Sequence, residues 1–192
     1  MTLLLTTGLR RSELCGLQWT DIDLIQGSIA VNRTYHYIPG NRFFVGRPKT
    51  TRSRRVVVLD RNSRAMLVAH RAEAERVAQL LGREIQPSDF VFAREDETPW
   101  PPGSYSQLFR RTVRKLWIPA RLHDLRHASA TLLLSSGVPV RTVSDRRGRS
   151  DPGFTLRVYA HLLPNAQAEA AERLAQALPR LAAGARVPVV SP

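Results

Sequence analysis

Four short segments hold residue types that could act on a phosphate. The first is HDLRH, residues 123 to 127. At about 100° per residue, His123, Arg126 and His127 share one helix face, and Leu125, Ala128 and Leu132 share the opposite one. The pattern predicts a cationic face above a core-facing apolar stripe. Two histidines at i and i+4 can also ligate zinc, but the glutamate of a metalloprotease helix and a third ligand are both lacking, so no metal is expected. Two readings stay open: a phosphate clamp, with Arg126 binding two oxygens and His123 as donor or acid/base group, or a surface face with solvated imidazoles. The second segment is TGLRRSEL, residues 7 to 14. Arg10 follows a glycine turn at the start of a helix, and Glu13 is within reach to orient its guanidinium. The alternative is an exposed arginine beside a helix-start glutamate.

The third segment is RPKTTRSRR, residues 47 to 55, where Lys49 lies among Arg47, Arg52, Arg54 and Arg55. A lysine in a basic hairpin loop can reach into a DNA groove; a basic hairpin can equally be a solvated sheet edge. The fourth is Tyr159, in the apolar turn RVYAHLLP with arginines ahead of it. A free tyrosine has a pKa of about 10 and is a poor nucleophile at neutral pH. It needs its developing phenolate stabilised and a target phosphate whose charge is already neutralised. Without them it is a structural ring with a wet hydroxyl.

The elements that must position these residues follow from the apolar pattern. Residues 2 to 17 read as a helix, a turn at Gly8 and a second helix. Residues 28 to 38, 43 to 45 and 54 to 59 are rich in β-branched and aromatic types and predict a small three-stranded antiparallel sheet. Helices are predicted over 61 to 81, 103 to 116, 123 to 136, 139 to 147 and 154 to 162. A last helix after Pro164 carries a stripe of Leu174, Leu178 and Leu181. The fold class expected is α+β, mostly α, with that sheet packed on a helical core. No repeat and no internal boundary is visible, so residues 1–182 read as one domain and 183–192 as a loose tail.

Composition narrows the partner. The chain has 192 residues, 43% of them hydrophobic, enough for a core. Lys plus Arg number 29 against 16 Asp plus Glu, a formal net charge of +13 carried mainly by arginine. The guanidinium fork matches phosphate oxygens, so nucleic acid is the first expectation and an acidic membrane the second. Cys15 is the single cysteine, which excludes an internal disulfide framework and suits a reducing cytoplasm. No apolar run is long enough to span a membrane. The chain opens inside an apolar helical pattern without a cap, so the domain is expected to be truncated at its N-terminus.

In order and spacing, TGLRRSELCGLQWTDID, the PKT..SRRVVVL hairpin, HDLRHASATLLLSSGV and DPGFTLRVYAHLLP together resemble the catalytic domain of the tyrosine recombinases, the phage integrase family. The resemblance implies Arg10 and Arg126 as the two arginines of a phosphate clamp. Lys49 would be the proton donor to the departing 5′ oxygen, His123 an acid/base group, and Tyr159 the nucleophile that forms a 3′-phosphotyrosine link. Glu13, with His127, would be a supporting residue. Arg47, Arg52, Arg54 and Arg55 would contact DNA. It further implies site-specific recombination or integration on double-stranded DNA, four copies acting together on that DNA, and no cofactor. The alternative is a non-catalytic DNA-binding remnant of an integrase.

One stretch departs from the family pattern. Where the family places a leucine, a glycine and a histidine or tryptophan, this chain has Arg147, Gly148 and Arg149. Arg149 would stand in for the histidine or tryptophan that donates to the scissile phosphate, with a longer and always charged side chain. Arg147 stands in for a core-facing leucine, which predicts either a snorkelling side chain or a burial cost of several kcal/mol.

Overall fold

The chain begins with two short helices that meet at a glycine. Helix α1 (Thr2–Thr7) stops at Gly8, whose φ of 65° is left-handed and whose N–H bonds the Leu4 carbonyl at 3.1 Å. A β-carbon at Gly8 would meet the Ser129 hydroxyl at 3.4 Å and carry a side chain into a backbone region that L residues rarely adopt. Helix α2 (Arg11–Cys15) starts immediately beyond. Glu13 reaches back to accept the Arg10 amide at 2.8 Å, the carboxylate half of a capping box. This computed structural model describes residues 1–38, 42–46, 54–148, 153, 171–172 and 174–176.

A 3₁₀ turn (Trp19–Asp21) leads into β1 (Ile22–Asp23), β2 (Ser28–Val31), β3 (Thr34–Ile38), β4 (Arg42–Gly46) and β5 (Arg55–Val58). These form two ladders rather than the single predicted sheet. One is three-stranded and antiparallel in the order β1-β2-β5, with Ile29 opposite Val57; the other pairs β3 with β4. The predicted strand over 28 to 38 therefore breaks at Asn32 and Arg33. Both side chains there turn to Asp21, at 3.1 and 2.7 Å, while Asp21 also accepts the Gln18 amide at 2.9 Å. A buried carboxylate that must be satisfied outweighs continuing the ladder. β2 alternates half-buried and buried residues, so Ile29 and Val31 face the core.

Helix α3 (Arg61–Leu80) is capped by Asp60, which accepts the amides of Asn62 and Ser63 at 3.0 and 2.9 Å. Helix α4 (Pro102–Lys115) starts with proline at its first position. Helices α5 (Asp124–Ser135) and α6 (Val140–Arg146) follow. The main core gathers Leu3, Leu9, Leu17, Ile29, Val57 and Leu67, all almost fully buried, from helices and the three-stranded sheet alike. Of the helix predicted after Pro164, residues 171–172 and 174–176 are described; they are helical and Leu174 is exposed. Among the described residues, no helix is long and apolar enough to cross a membrane.

The predicted faces of α5 are corrected. Leu132 was expected on the core stripe and is 57% exposed; Arg126 was expected on the cationic surface and is 2% exposed. The inward face carries Arg126, Ser129, Ala130 and Leu134. Helix α5 packs on α1, and the turn at Gly8 presents a carbonyl that a guanidinium satisfies better than a leucine would.

Candidate active site

The α1–α2 turn, the N-terminal end of α5, β3 and α4 enclose an open cavity of about 700 Å³. Arg10, Arg11, Arg110, Arg121 and Arg126 line it together with His36 and His123, and no acidic side chain is among its described lining residues. Apolar groups, including Leu4, Leu9, Phe109 and Leu122, form its floor. Cations over a low-dielectric floor focus positive potential into the cavity.

Arg10 and Arg126 reach it by different means. Arg10 caps α2 in extended conformation and is 38% exposed along its side chain. Its Nη1 donates to Glu13 Oε1 at 2.6 Å, the orientation that the i,i+3 spacing predicts. Arg126 is locked from behind: Nη1 donates to the Gly8 carbonyl and Nη2 to the Arg147 carbonyl. Burial, with Arg10 and Arg147 close by, pushes its guanidinium down to about 9, so it stays charged at neutral pH.

Glu13 is the counter-charge. It is 1% exposed and receives Arg55 as well as Arg10, with Arg55 Nη2 at 2.9 Å from Oε2 and Nη1 at 3.2 Å from Oε1. Burial alone would raise its carboxyl, but the Arg55 bond and charge, followed by Arg10, outweigh it and hold the group at about 2. Glu13 is therefore a permanent anion between two guanidinium groups.

His123 opens α5 at the cavity and stays exposed, its ring edge-on to His127 with centroids 5.0 Å apart. Partial burial, the His127 ring and the Arg126 and Arg147 charges lower its pKa, so the imidazole is largely neutral at pH 7, with one nitrogen able to donate and the other to accept.

Several residues sit otherwise than the sequence suggested. Arg55, expected to contact DNA, points inward, its side chain only 6% exposed, because the buried Glu13 carboxylate needs a second cation. Arg54 is exposed. Arg146, at the end of α6, is spent on backbone, donating to the Val58 carbonyl at 3.0 Å and the Thr6 carbonyl at 2.8 Å. Arg147 does not snorkel: it is 2% exposed, its stem packed toward the Gly8 turn. Arg11, Arg110, Arg121 and His36 were not foreseen as cavity residues. Periodicity could not place them, because they come from three separate elements and the approach to α5. Arg47, Lys49, Arg52, Arg149 and Tyr159 lie outside the described residues.

Known proteins share this arrangement of elements. The chain is 33% identical over 178 residues to the ICEBs1 integrase of Bacillus subtilis (strain 168), covering 90% of this chain and 47% of that one. It is 28% identical over 176 residues to the integrase of Staphylococcus phage L54a, covering 88% and 48%. Its structure resembles that of the Tn1549 transposon integrase in complex with transposon right end DNA, with a TM-score of 0.75 and 26% identity over 91% of this chain and 57% of that one. The crystal structure of XerA recombinase shares the fold at a TM-score of 0.60 and 22% identity. The chain spans about half the length of the curated relatives it matches. The match to the family described as "Phage integrase family" runs over residues 1–166, which takes in all the named helices and strands and every described residue lining the arginine cavity: the chain belongs to the phage integrase family.

Proposed function

We propose that this chain cuts and rejoins double-stranded DNA at specific sites, as the catalytic part of a recombinase or integrase acting in the cytoplasm. The observation that carries the reading is the convergence of Arg10 and Arg126 on one cavity that has no described acidic lining. Arg10 and Arg126 hold the non-bridging oxygens of the scissile phosphate and offset the charge that grows on them during transfer. Tyr159 attacks phosphorus through its phenolic oxygen. The bond to the 5′ oxygen breaks, Lys49 gives that oxygen a proton, and the 3′ phosphate stays on the tyrosine. His123, neutral near pH 7, takes or returns the phenol's proton. Rejoining reverses each step: a 5′ hydroxyl attacks and the tyrosine leaves. The phosphotyrosine retains the energy of the phosphodiester, so the exchange needs no nucleotide hydrolysis. Arg149 donates to the phosphate from the turn after α6, His127 supports His123, and Arg47, Arg52 and Arg54 contact the DNA backbone. Four copies act together on the two duplexes being exchanged.

The test is covalent capture. Nicked duplexes carrying candidate element ends are incubated with the chain, and the products are separated under denaturing conditions. A protein–DNA adduct is expected from the parent and none from Tyr159→Phe; Arg149→His is expected to raise the yield. Absence of adduct from every duplex, with the N-terminal region of a relative supplied, would sink the proposal. Binding to duplex DNA is expected to weaken steeply with salt, roughly 10³-fold or more between 50 and 200 mM for a protein with six or more phosphate contacts. Fluorescence anisotropy across that range checks it, and a flat response contradicts phosphate-led binding.

A further inference from the structure

Arg55 lies at the start of β5, separated only by Arg54 from the segment 47–53 that carries Lys49. Its guanidinium faces three ways. It grips both oxygens of Glu13, at 2.9 and 3.2 Å, and Glu13 in turn holds the Arg10 amide and guanidinium. Its Nε donates to the Arg146 carbonyl at 2.7 Å, at the end of α6. It also fills the space over Gly148, where a β-carbon would fall 2.8 Å from Nη1 and 3.1 Å from Cδ, and where φ is +60°. So one buried side chain touches the buttress of Arg10 and the turn that leads into residues 149 to 159, from the strand that follows Lys49.

We propose that Arg55 is a positioning residue for phosphate binding: through Glu13 it fixes the Arg10 guanidinium, and through Arg146 and Gly148 it ties that guanidinium to β5 and to the turn ahead of Tyr159. This rests on reading the Arg10 cavity as a phosphate site. Arg55 itself does not line the cavity, so it acts on the ligand through Glu13 and Arg10. A planar fork suits the task. It can satisfy a carboxylate with two nitrogens and a carbonyl with the third, which an ammonium on one flexible stem cannot do at once.

The experiment uses the full chain and inorganic phosphate as probe, with Arg55→Met, Arg55→Lys and Gly148→Ala. Two signals are followed by NMR: the Glu13 carboxylate during acid titration, and the Arg10 Nε–H during phosphate titration. In Arg55→Met the Glu13 midpoint should rise, because burial is then opposed by Arg10 alone, and phosphate affinity should fall by about tenfold. Arg55→Lys should bring the Glu13 midpoint most of the way back yet recover only part of the phosphate affinity. Gly148→Ala, which displaces Arg55 without removing it, should move both signals in the direction of Arg55→Met. If Arg55→Met does not fold, the lysine and alanine variants carry the test. A folded Arg55→Met, or either of the other two variants, that keeps phosphate affinity within about twofold of the parent overturns the proposal. If the parent takes up no phosphate at Arg10, the cavity reading fails; a Glu13 midpoint that does not move in any of the variants overturns the coupling independently.

Discussion

Arg126→Met should lose at least about a thousandfold in covalent adduct while its thermal midpoint stays within about 5 °C of the parent. The two halves have separate causes. The guanidinium is one of the two proposed phosphate-holding arginines, and losing a single preorganised donor already costs about 10²–10³ in rate. On the stability side two terms oppose. Methionine leaves the Gly8 and Arg147 carbonyls without their donor, at about 1–3 kcal/mol each. Against that, the site resists the charge it holds. Burial, Arg10 and Arg147 bring Arg126 from the ordinary 12.5 to about 9, a depression on the order of 5 kcal/mol. Replacing a disfavoured buried ion with an apolar side chain of similar length is often neutral. A calorimetric midpoint beside the adduct assay decides it. A variant that collapses, or that still forms adduct at a tenth of the parent level, contradicts this account. The fold tolerates the Arg126 charge rather than favouring it.

Glu13→Gln should behave in the opposite way, costing about 3 kcal/mol at neutral pH and removing the acid limb of the stability curve. Arg55 and Arg10 hold the folded-state carboxyl at about 2 against a usual 4.5, although burial alone would raise it. A depressed carboxyl contributes stability that is fully present above about pH 4.5 and is lost as pH falls from there toward about 2. The parent should therefore weaken across that window, and the glutamine variant should be weak throughout and nearly flat within it. Denaturant unfolding at pH 7, 4 and 3 reads the difference. Equal slopes in the two proteins would mean that Glu13 is not the group that titrates. Glutamine also leaves two guanidinium groups facing each other across a neutral amide, so phosphate affinity should drop with stability.

These contrasts show which parts of the site were legible in the chain. The Arg10–Glu13 pair was, because three residues along a helix start bring two side chains together whatever else the fold does. The described helices were legible for the same local reason, with Gly8 marking the end of the first, while the helix predicted over 154 to 162 lies outside the described residues. Arg126 was only half legible. Periodicity grouped it with His123 and His127 but turned it outward, because the pattern scores a guanidinium as polar and cannot foresee two carbonyls waiting behind it. Leu132 was assigned inward by the same error. The continuous strand over 28 to 38 failed because Asp21, distant in sequence, takes the side chains of Asn32 and Arg33.

What the sequence determined by itself is the family and its fold class, since those depend on residue type and order. What only the tertiary structure decided is the job each arginine does. Arg10, Arg110 and Arg121 line the cavity, Arg55 buttresses from beneath, Arg146 fastens helix to sheet, and Arg147 lies buried with its carbonyl under Arg126. The residue type is the same in each case. The difference is what lies within hydrogen-bond reach once distant segments meet, and whether water is left to compete for the charge.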